Sequence, residues 1–266
     1  MLLNMAEVVM DQILGELDFL NVLTVRKVCH SLRDFIDKHC HPDPNLYSIQ
    51  VTVEIGAINF IIRFANCKEL SITYVQTTGG ETSVQWKKKG MVRTRFLGNS
   101  DHLKIFIQDF GTFWRHQKGK LEKFHVKFYE GNDSEFMEAF QNILKTRNFG
   151  THEFEIRMID SNDMLQILPL LGPEKITIEG RDVKMEDVEM EEIMELEAWR
   201  NAKSLKIFGS SITVPVENAR FRAVRKMWFF RTEAPNQVLV TRLYSRHVDF
   251  QRIEVSTIPP AAVILE

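Results

Sequence analysis

An α/β protein with a helical N-terminal segment is what this sequence predicts, and three observations predict it. The first 40 or so residues set apolar side chains three and four apart, the period of amphipathic helices. Pro42 and Pro44 then break the pattern. Beyond them, short apolar runs alternate with amphipathic segments, and the later strands recur at intervals of roughly 20 to 30 residues, the spacing at which one strand and one return segment stack. Connections this short favour parallel neighbours and right-handed crossovers. The expected architecture is therefore a curved sheet of short, mostly parallel strands with helices on its outer face. A non-repetitive α/β domain is the alternative.

Within the N-terminal segment, Met5, Val9, Ile13 and Leu17 recur every four positions, and Met10 and Leu14 widen the stripe into one amphipathic helix. Asp18 offers a carboxylate to the free amides of a second helix, which carries Val22, Leu23, Val25 and Val28 and leaves Thr24, Arg26 and Lys27 for water or a partner. A third helix follows almost without a loop. Its face is Leu32, Phe35 and Ile36, and it ends before His41-Pro42-Asp43-Pro44. Three short helices in about 40 residues make a marginal core, so the segment leans on a partner or on the rest of the chain.

After the prolines, Ile49, Val51, Val53 and Ile55 alternate with polar residues, as in a strand with one buried face. The link to it is short, which holds the two parts in a fixed relation. Further strands are expected at Leu70 to Tyr74, Leu103 to Ile107, Phe124 to Phe128, Phe154 to Met158, Lys175 to Ile178, Leu205 to Phe208, Met227 to Phe230 and Ile253 to Val255. Gly79-Gly80 reads as a hairpin turn. Asp133 or Ser134 caps a helix with Phe136, Met137, Phe140, Ile143 and Leu144 on its apolar face. Ser161 caps another with Met164, Leu165, Leu168 and Leu171, stopped by Gly172-Pro173. Helices are also expected over Glu186 to Trp199 and Gln237 to His247.

The stretch LDFLNVLTVRKVCHSLRDFID, Leu17 to Asp37, carries a more specific spacing. Ile13-Leu14, Leu17-Asp18, Val22-Leu23, Val25, Arg26, Val28-Cys29 and Leu32-Arg33 fall where an F-box has its recurrent apolar pairs, its Val-Cys and its closing aromatic-or-Leu plus Arg. Met5-Ala6 stands where an F-box usually opens with Leu-Pro, and Leu32 where it usually has Trp. The ending KVCHSLRDFID resembles the F-box families expanded in nematodes. Farther along, FHVKFYEGNDSEFMEAFQNILKTR, MLQILPLLGPEKITI, EAWRNAKSLKIFGSSI and FQRIEV resemble an FTH-type (DUF38-type) domain, mainly over residues 110–260, leaving Gln50 to about Phe110 weakly assigned.

The resemblance implies an N-terminal F-box at residues 1–45 and a strand-helix domain at residues 46–266. The strand spacing itself reads as an irregular, leucine-rich-repeat-like sheet, although no repeat consensus with a fixed Asn or Cys is visible. The role implied by the resemblance is the substrate-recognition subunit of a Skp-cullin-F-box type ubiquitin ligase, docking a Skp-type adaptor, and through it a cullin scaffold, with the first segment and an unknown target protein with the second. The F-box residues so implied are Met5, Val9, Ile13, Leu14, Leu17, Val22, Leu23, Val25, Val28, Cys29, Leu32 and Arg33, some as internal core and some as contacts. The ubiquitin chemistry then belongs to other subunits. A binding scaffold whose altered F-box no longer joins a ligase, and a nucleic-acid-binding α/β protein, are the rival readings.

Composition is that of a packed globular protein, with 44% apolar residues and a formal net charge of -2, which argues against a broadly basic nucleic-acid binder. No run of 18 apolar residues and no secretory leader pattern is present, and an intracellular setting, cytoplasmic or nuclear, is expected. The three cysteines, Cys29, Cys40 and Cys67, are too few and odd in number for a disulfide framework. Consecutive residues such as His39, Cys40 and His41 cannot all converge on one metal ion. No phosphate-cradling glycine loop, nucleophile elbow or His-Glu-x-x-His pair occurs, so no cofactor and no intrinsic catalysis are expected. Two charge features stand out: an acidic run from Glu186 to Glu197 against a basic last quarter, and Trp86-Lys87-Lys88-Lys89 followed by Arg93 and Arg95. The first reads as a solvated helix face and the second as an exposed hairpin end.

Overall fold

The computed structural model describes residues 7–26, 28–39, 43–88, 90–129, 134–147, 150–158, 161–180, 192–193, 195–208, 226–231, 237–243, 247–257 and 264–265. Three helices open the chain: α1 (Glu7–Gly15), α2 (Phe19–Val25) and α3 (His30–His39). Asp18 caps α2 as its position predicts, Oδ1 accepting from the Asn21 amide at 2.9 Å. At the far end of that helix Arg26 grips α3, its Nε and one terminal amino group donating to the two oxygens of Asp37 at 2.6 and 2.8 Å.

The strands that follow are β1 (Leu46–Glu54), β2 (Ala57–Phe64), β3 (Glu69–Gln76), β4 (Thr82–Lys88) and β5 (Met91–Phe96), an antiparallel meander. Gly56 turns the first hairpin in the left-handed region, at φ +62°, and Gly79-Gly80 lies in the turn between β3 and β4. Next come α4 (His102–His116), β6 (Leu121–Phe128), α5 (Ser134–Leu144), β7 (Thr151–Met158), α6 (Ser161–Ile167), β8 (Lys175–Gly180), α7 (Glu197–Asn201) and β9 (Ser204–Phe208). The last strands are β10 (Lys226–Arg231), β11 (Gln237–Leu243), β12 (His247–Glu254) and β13 (Ile264–Leu265).

Among the described residues one sheet of 13 strands runs in the order β13-β10-β11-β12-β9-β8-β7-β6-β1-β2-β3-β4-β5. The expected parallel arrangement holds at its centre, where β1, β6, β7, β8 and β9 are parallel neighbours connected through helices. Both flanks are antiparallel instead, apart from the parallel β10–β13 pair at one margin, and the sheet is mixed.

Helices cover one face of this sheet. Phe60 of β2 meets Phe106, Phe110 and Phe113 of α4 edge-on, with centroids 5.6 to 5.9 Å apart. Phe110 stacks on Phe140 of α5 at 4.9 Å, and Phe124 of β6 packs on Phe154 of β7 at 5.9 Å. Tyr74 is buried with them, donating its hydroxyl to Asp109 at 2.8 Å. Burial, reinforced by the Asp109 carboxylate, pushes the Tyr74 phenol well above the ordinary tyrosine range. The opposite face is polar. There Lys123 pairs with Glu153 at 3.1 Å, and Lys127 with Glu155 at 3.1 Å, across neighbouring parallel strands.

Two expected elements change type. Leu103 to Ile107, expected as a strand, lies inside α4, where Phe106, Phe110, Phe113 and Trp114 supply a helical face and Asp101 caps by accepting from the Leu103 amide at 2.9 Å. Gln237 to His247, expected as a helix, forms β11 over Gln237–Leu243, and His247 begins β12. There β11 lies between β10 and β12, with Val238 and Val240 buried in alternation. Val255 falls in a short 3-10 turn just past β12. Of the expected helix from Glu186 to Trp199, residues 186–191 lie outside the described residues and Trp199 lies in α7.

Candidate protein-docking site

Most apolar side chains of the first three helices fall into three groups. Leu14, Val22 and Ile36 form the segment's own small core, with Leu17, Val25 and Phe35 packed against it. Phe19 belongs instead to the main core under the sheet, and Leu20 and Leu23 pack against that core as well. The Phe19 ring lies 5.3 Å from Phe113 and 5.7 Å from His116, at the end of α4. The third group faces water: Val8 is 76% exposed, Val9 41%, Ile13 38% and Val28 70%. Val9 and Ile13 are one turn apart on the outer face of α1, whose inner face is Met10 and Leu14.

Of the residues singled out from sequence, Leu14, Val22 and Leu32 are buried, and Leu17, Leu23, Val25, Cys29 and Arg33 are half-buried. Val9, Ile13 and Val28 are exposed, and Met5 lies outside the described residues. Sequence reasoning passed over Phe19 and Val8. The signal for Phe19 was available, since α2 reads FLNVLTV, apolar on two faces rather than one, as a helix sandwiched between two cores must be.

Polar contacts fix this segment onto the sheet. Lys68, in the β2 to β3 turn, donates to Asp18 Oδ2 at 3.0 Å, so one carboxylate caps α2 and holds the sheet. The Asn21 amide, and then Lys68, hold the Asp18 carboxyl below its ordinary range. Asp43 accepts from the Asn45 and Lys118 amides at 2.9 and 3.3 Å. Buried Gln117 accepts from the Leu46 amide at 2.9 Å and donates to the Gly119 carbonyl at 2.9 Å. A cleft of about 410 Å³ opens at this junction, lined by Leu14, Leu17, Asp18, Phe19 and Leu20 on one side and by Pro44, Asn45, Phe64, Asn66 and Lys68 on the other.

Cys29 and Cys67 are free thiols, and among the described residues no cluster of His, Cys, Asp or Glu is arranged to hold a metal ion. Among the same residues no helix is long and apolar enough to cross a membrane. The site offers apolar surface on a module whose orientation is fixed, which suits protein docking. The acidic and basic regions of the last third fall mostly outside the described residues, and Arg252, donating to the Ala202 carbonyl at 2.6 Å, is a basic residue there whose contact is seen.

Comparison with known proteins gives two family matches: residues 2–42 match the F-box domain and residues 134–223 match the FTH domain. The chain is also 28% identical over 220 residues to F-box A protein 224 of Caenorhabditis elegans, across 79% of this chain and 54% of that protein. The chain thus spans about half the length of the curated relative it matches. No solved structure matches it with significance.

Proposed function

From a chain that carries an F-box domain at residues 2–42 and an FTH domain at residues 134–223, we infer a substrate-recognition subunit of a Skp-cullin-F-box type ubiquitin ligase. Residues 1–45 dock a Skp-type adaptor, and through it a cullin scaffold, inside the cell. Residues 46–266 bind the target, and the chain performs no chemistry itself. The observation that carries this reading is the division of labour among the first helices. Phe19 plugs the segment into the sheet's core while Val9, Ile13 and Val28 are left in water. Exposed apolar side chains on an otherwise anchored module gain free energy when a partner covers them.

The mechanism is proximity. Two binding surfaces on one stiff chain raise the concentration of target at the transfer machinery without altering the transfer step. The parallel block supports a leucine-rich-repeat-like reading of the second segment, because β6, β7, β8 and β9 start at Leu121, Thr151, Lys175 and Ser204, intervals of roughly 24 to 30 residues.

Co-purification with a Skp-type adaptor at micromolar concentration tests the reading. Val9→Asp, Ile13→Asp and Val28→Asp are each expected to weaken capture strongly with the circular-dichroism spectrum retained, and Val28→Asp, at a site 70% exposed, is expected to shift folding stability by no more than about 0.5 kcal/mol. Failure of the wild-type chain to form the complex removes the ligase assignment, and undiminished capture by all three variants removes the assigned surface.

A further inference from the structure

At one margin of the sheet β5 runs as six extended residues, Met91 to Phe96, all of them exposed. Among the described residues its only strand neighbour is β4, and their register runs unshifted from Lys88 opposite Met91 to Ser83 opposite Phe96. Antiparallel pairs alternate between those that exchange backbone hydrogen bonds and those that do not. The Leu97 amide donates to the Thr82 carbonyl at 2.8 Å, which sets the phase of that alternation. Arg95 and Arg93 accordingly bond to β4. The amides and carbonyls of Val92, Thr94 and Phe96 point away from the sheet.

Sheet margins are ordinarily blunted by prolines, bulges, short length or charge. Here neither proline nor bulge interrupts the strand, and its side chains sort by face. Val92 and Phe96, 60% and 71% exposed, lie on one face; Arg93 and Arg95 lie on the other beside Met91, 63% exposed. Neither arginine makes an ion pair among the described residues. Charge alone would defend this margin, but large exposed apolar side chains beside it do the opposite.

We propose that β5 captures an extended segment of a target protein, which adds to the sheet as a further strand with Asp or Glu facing Arg93 and Arg95 and apolar residues facing Val92 and Phe96. A second copy of the chain fits less well, because pairing β5 with itself so that Arg93 faces Arg95 sets like charges directly opposite one another. A nucleic-acid strand would satisfy the arginines and leave the outward amides, carbonyls and apolar side chains unmatched. The proposal goes beyond the adaptor reading and rests on it in one respect, that the captured segment belongs to the protein delivered for modification.

The test uses the full chain and a fluorescein-labelled octapeptide of alternating glutamate and valine, followed by anisotropy. Saturable binding is expected, weakened by about tenfold or more when alternate peptide residues are N-methylated. Thr94→Pro removes one outward amide at a margin position where proline is tolerated, so it is expected to abolish binding with the circular-dichroism spectrum and thermal midpoint retained. Arg93→Glu with Arg95→Glu is expected to lose the Glu-Val peptide and to take up a Lys-Val peptide in its place. Absent binding, or binding indifferent to N-methylation and to Thr94→Pro, overturns the proposal. So do equal binding of octaglutamate, a dimer that Thr94→Pro dissolves with no peptide bound, and retardation of a single-stranded RNA oligonucleotide with no peptide bound. Adaptor capture by the same Thr94→Pro chain separates the two readings, since it reports on the N-terminal helices and is expected to stay intact.

Discussion

Phe19 has no counterpart among the exposed residues of the helices around it: it is 4% exposed and sits against Phe113 and His116 of α4. Truncating it opens a cavity in the main core rather than in the small helical one. Phe19→Ala is therefore expected to lower stability by about 3 to 5 kcal/mol in urea unfolding, against less than about 0.5 kcal/mol for Val28→Ala at a site 70% exposed. Similar costs for the two would mean that α2 does not anchor as described. A second residue, Glu174, gathers Lys120 at 2.5 Å, Lys203 at 2.9 Å and His152 at 3.2 Å, and so ties the starts of β6, β7 and β9 together. The hydrogen bond from Lys120, then those from Lys203 and His152, hold its carboxyl down at about 2, against an ordinary 4.5. With a folded value below the unfolded one, its stabilisation is complete above about pH 4.5 and drains away as pH falls toward about 2. The stability gap between the wild type and Glu174→Gln is expected to shrink as pH falls from 5 to 3. A gap that widens between pH 5 and 3 contradicts that sign.

At the scale of elements, α4 shows how a strand and a helix are confused. Leu103 to Ile107 is a short apolar run, which periodicity alone assigns to neither, and the deciding residues lie outside it. Phe110, Phe113 and Trp114 continue the helical face, and Asp101 supplies the cap. Asp101→Ala is expected to cost about 1 kcal/mol, read as a lowered urea midpoint with an unchanged slope. No loss would mean that α4 starts without its cap. The opposite confusion at β11 has a different cause. Val238 and Val240 alternate, but the surrounding polar residues mimic an amphipathic helix, and only pairing on both sides with β10 and β12 makes the segment a strand. The strands of the parallel block were legible because each carries a run such as FHVKF or KITI, buried on its helix-covered face. β2, β4 and β5 were not. Lys87, Lys88, Arg93 and Arg95 read as an exposed hairpin end, which places the turn but not the strands on either side of it, and the polar outer positions of β4 and β5 are set by the margin of the sheet rather than by any local signal.

Over the whole molecule, the helical segment was legible as a trio of helices with F-box spacing, whereas its attachment was not, because attachment depends on contacts made across the chain. Phe19 meets Phe113, Asp18 meets Lys68, and Leu46 meets Gln117. Those contacts carry the last prediction. A segment joined only by a flexible link would open independently, giving its amides exchange free energies far below those of the sheet. Here α2 has one face in the small core and Phe19 in the main one, so its amides can open widely only when the main core opens. Native-state hydrogen exchange is expected to place the α2 amides near the global unfolding free energy, level with β2 and β6, while the exposed side of α1 exchanges sooner. Phe19→Ala is expected to drop α2 to the level of α1 and leave β6 close to the variant's own global value. Exchange of α2 well below the sheet in the wild-type chain would show the helical segment hinged to the sheet rather than held against it at a fixed angle.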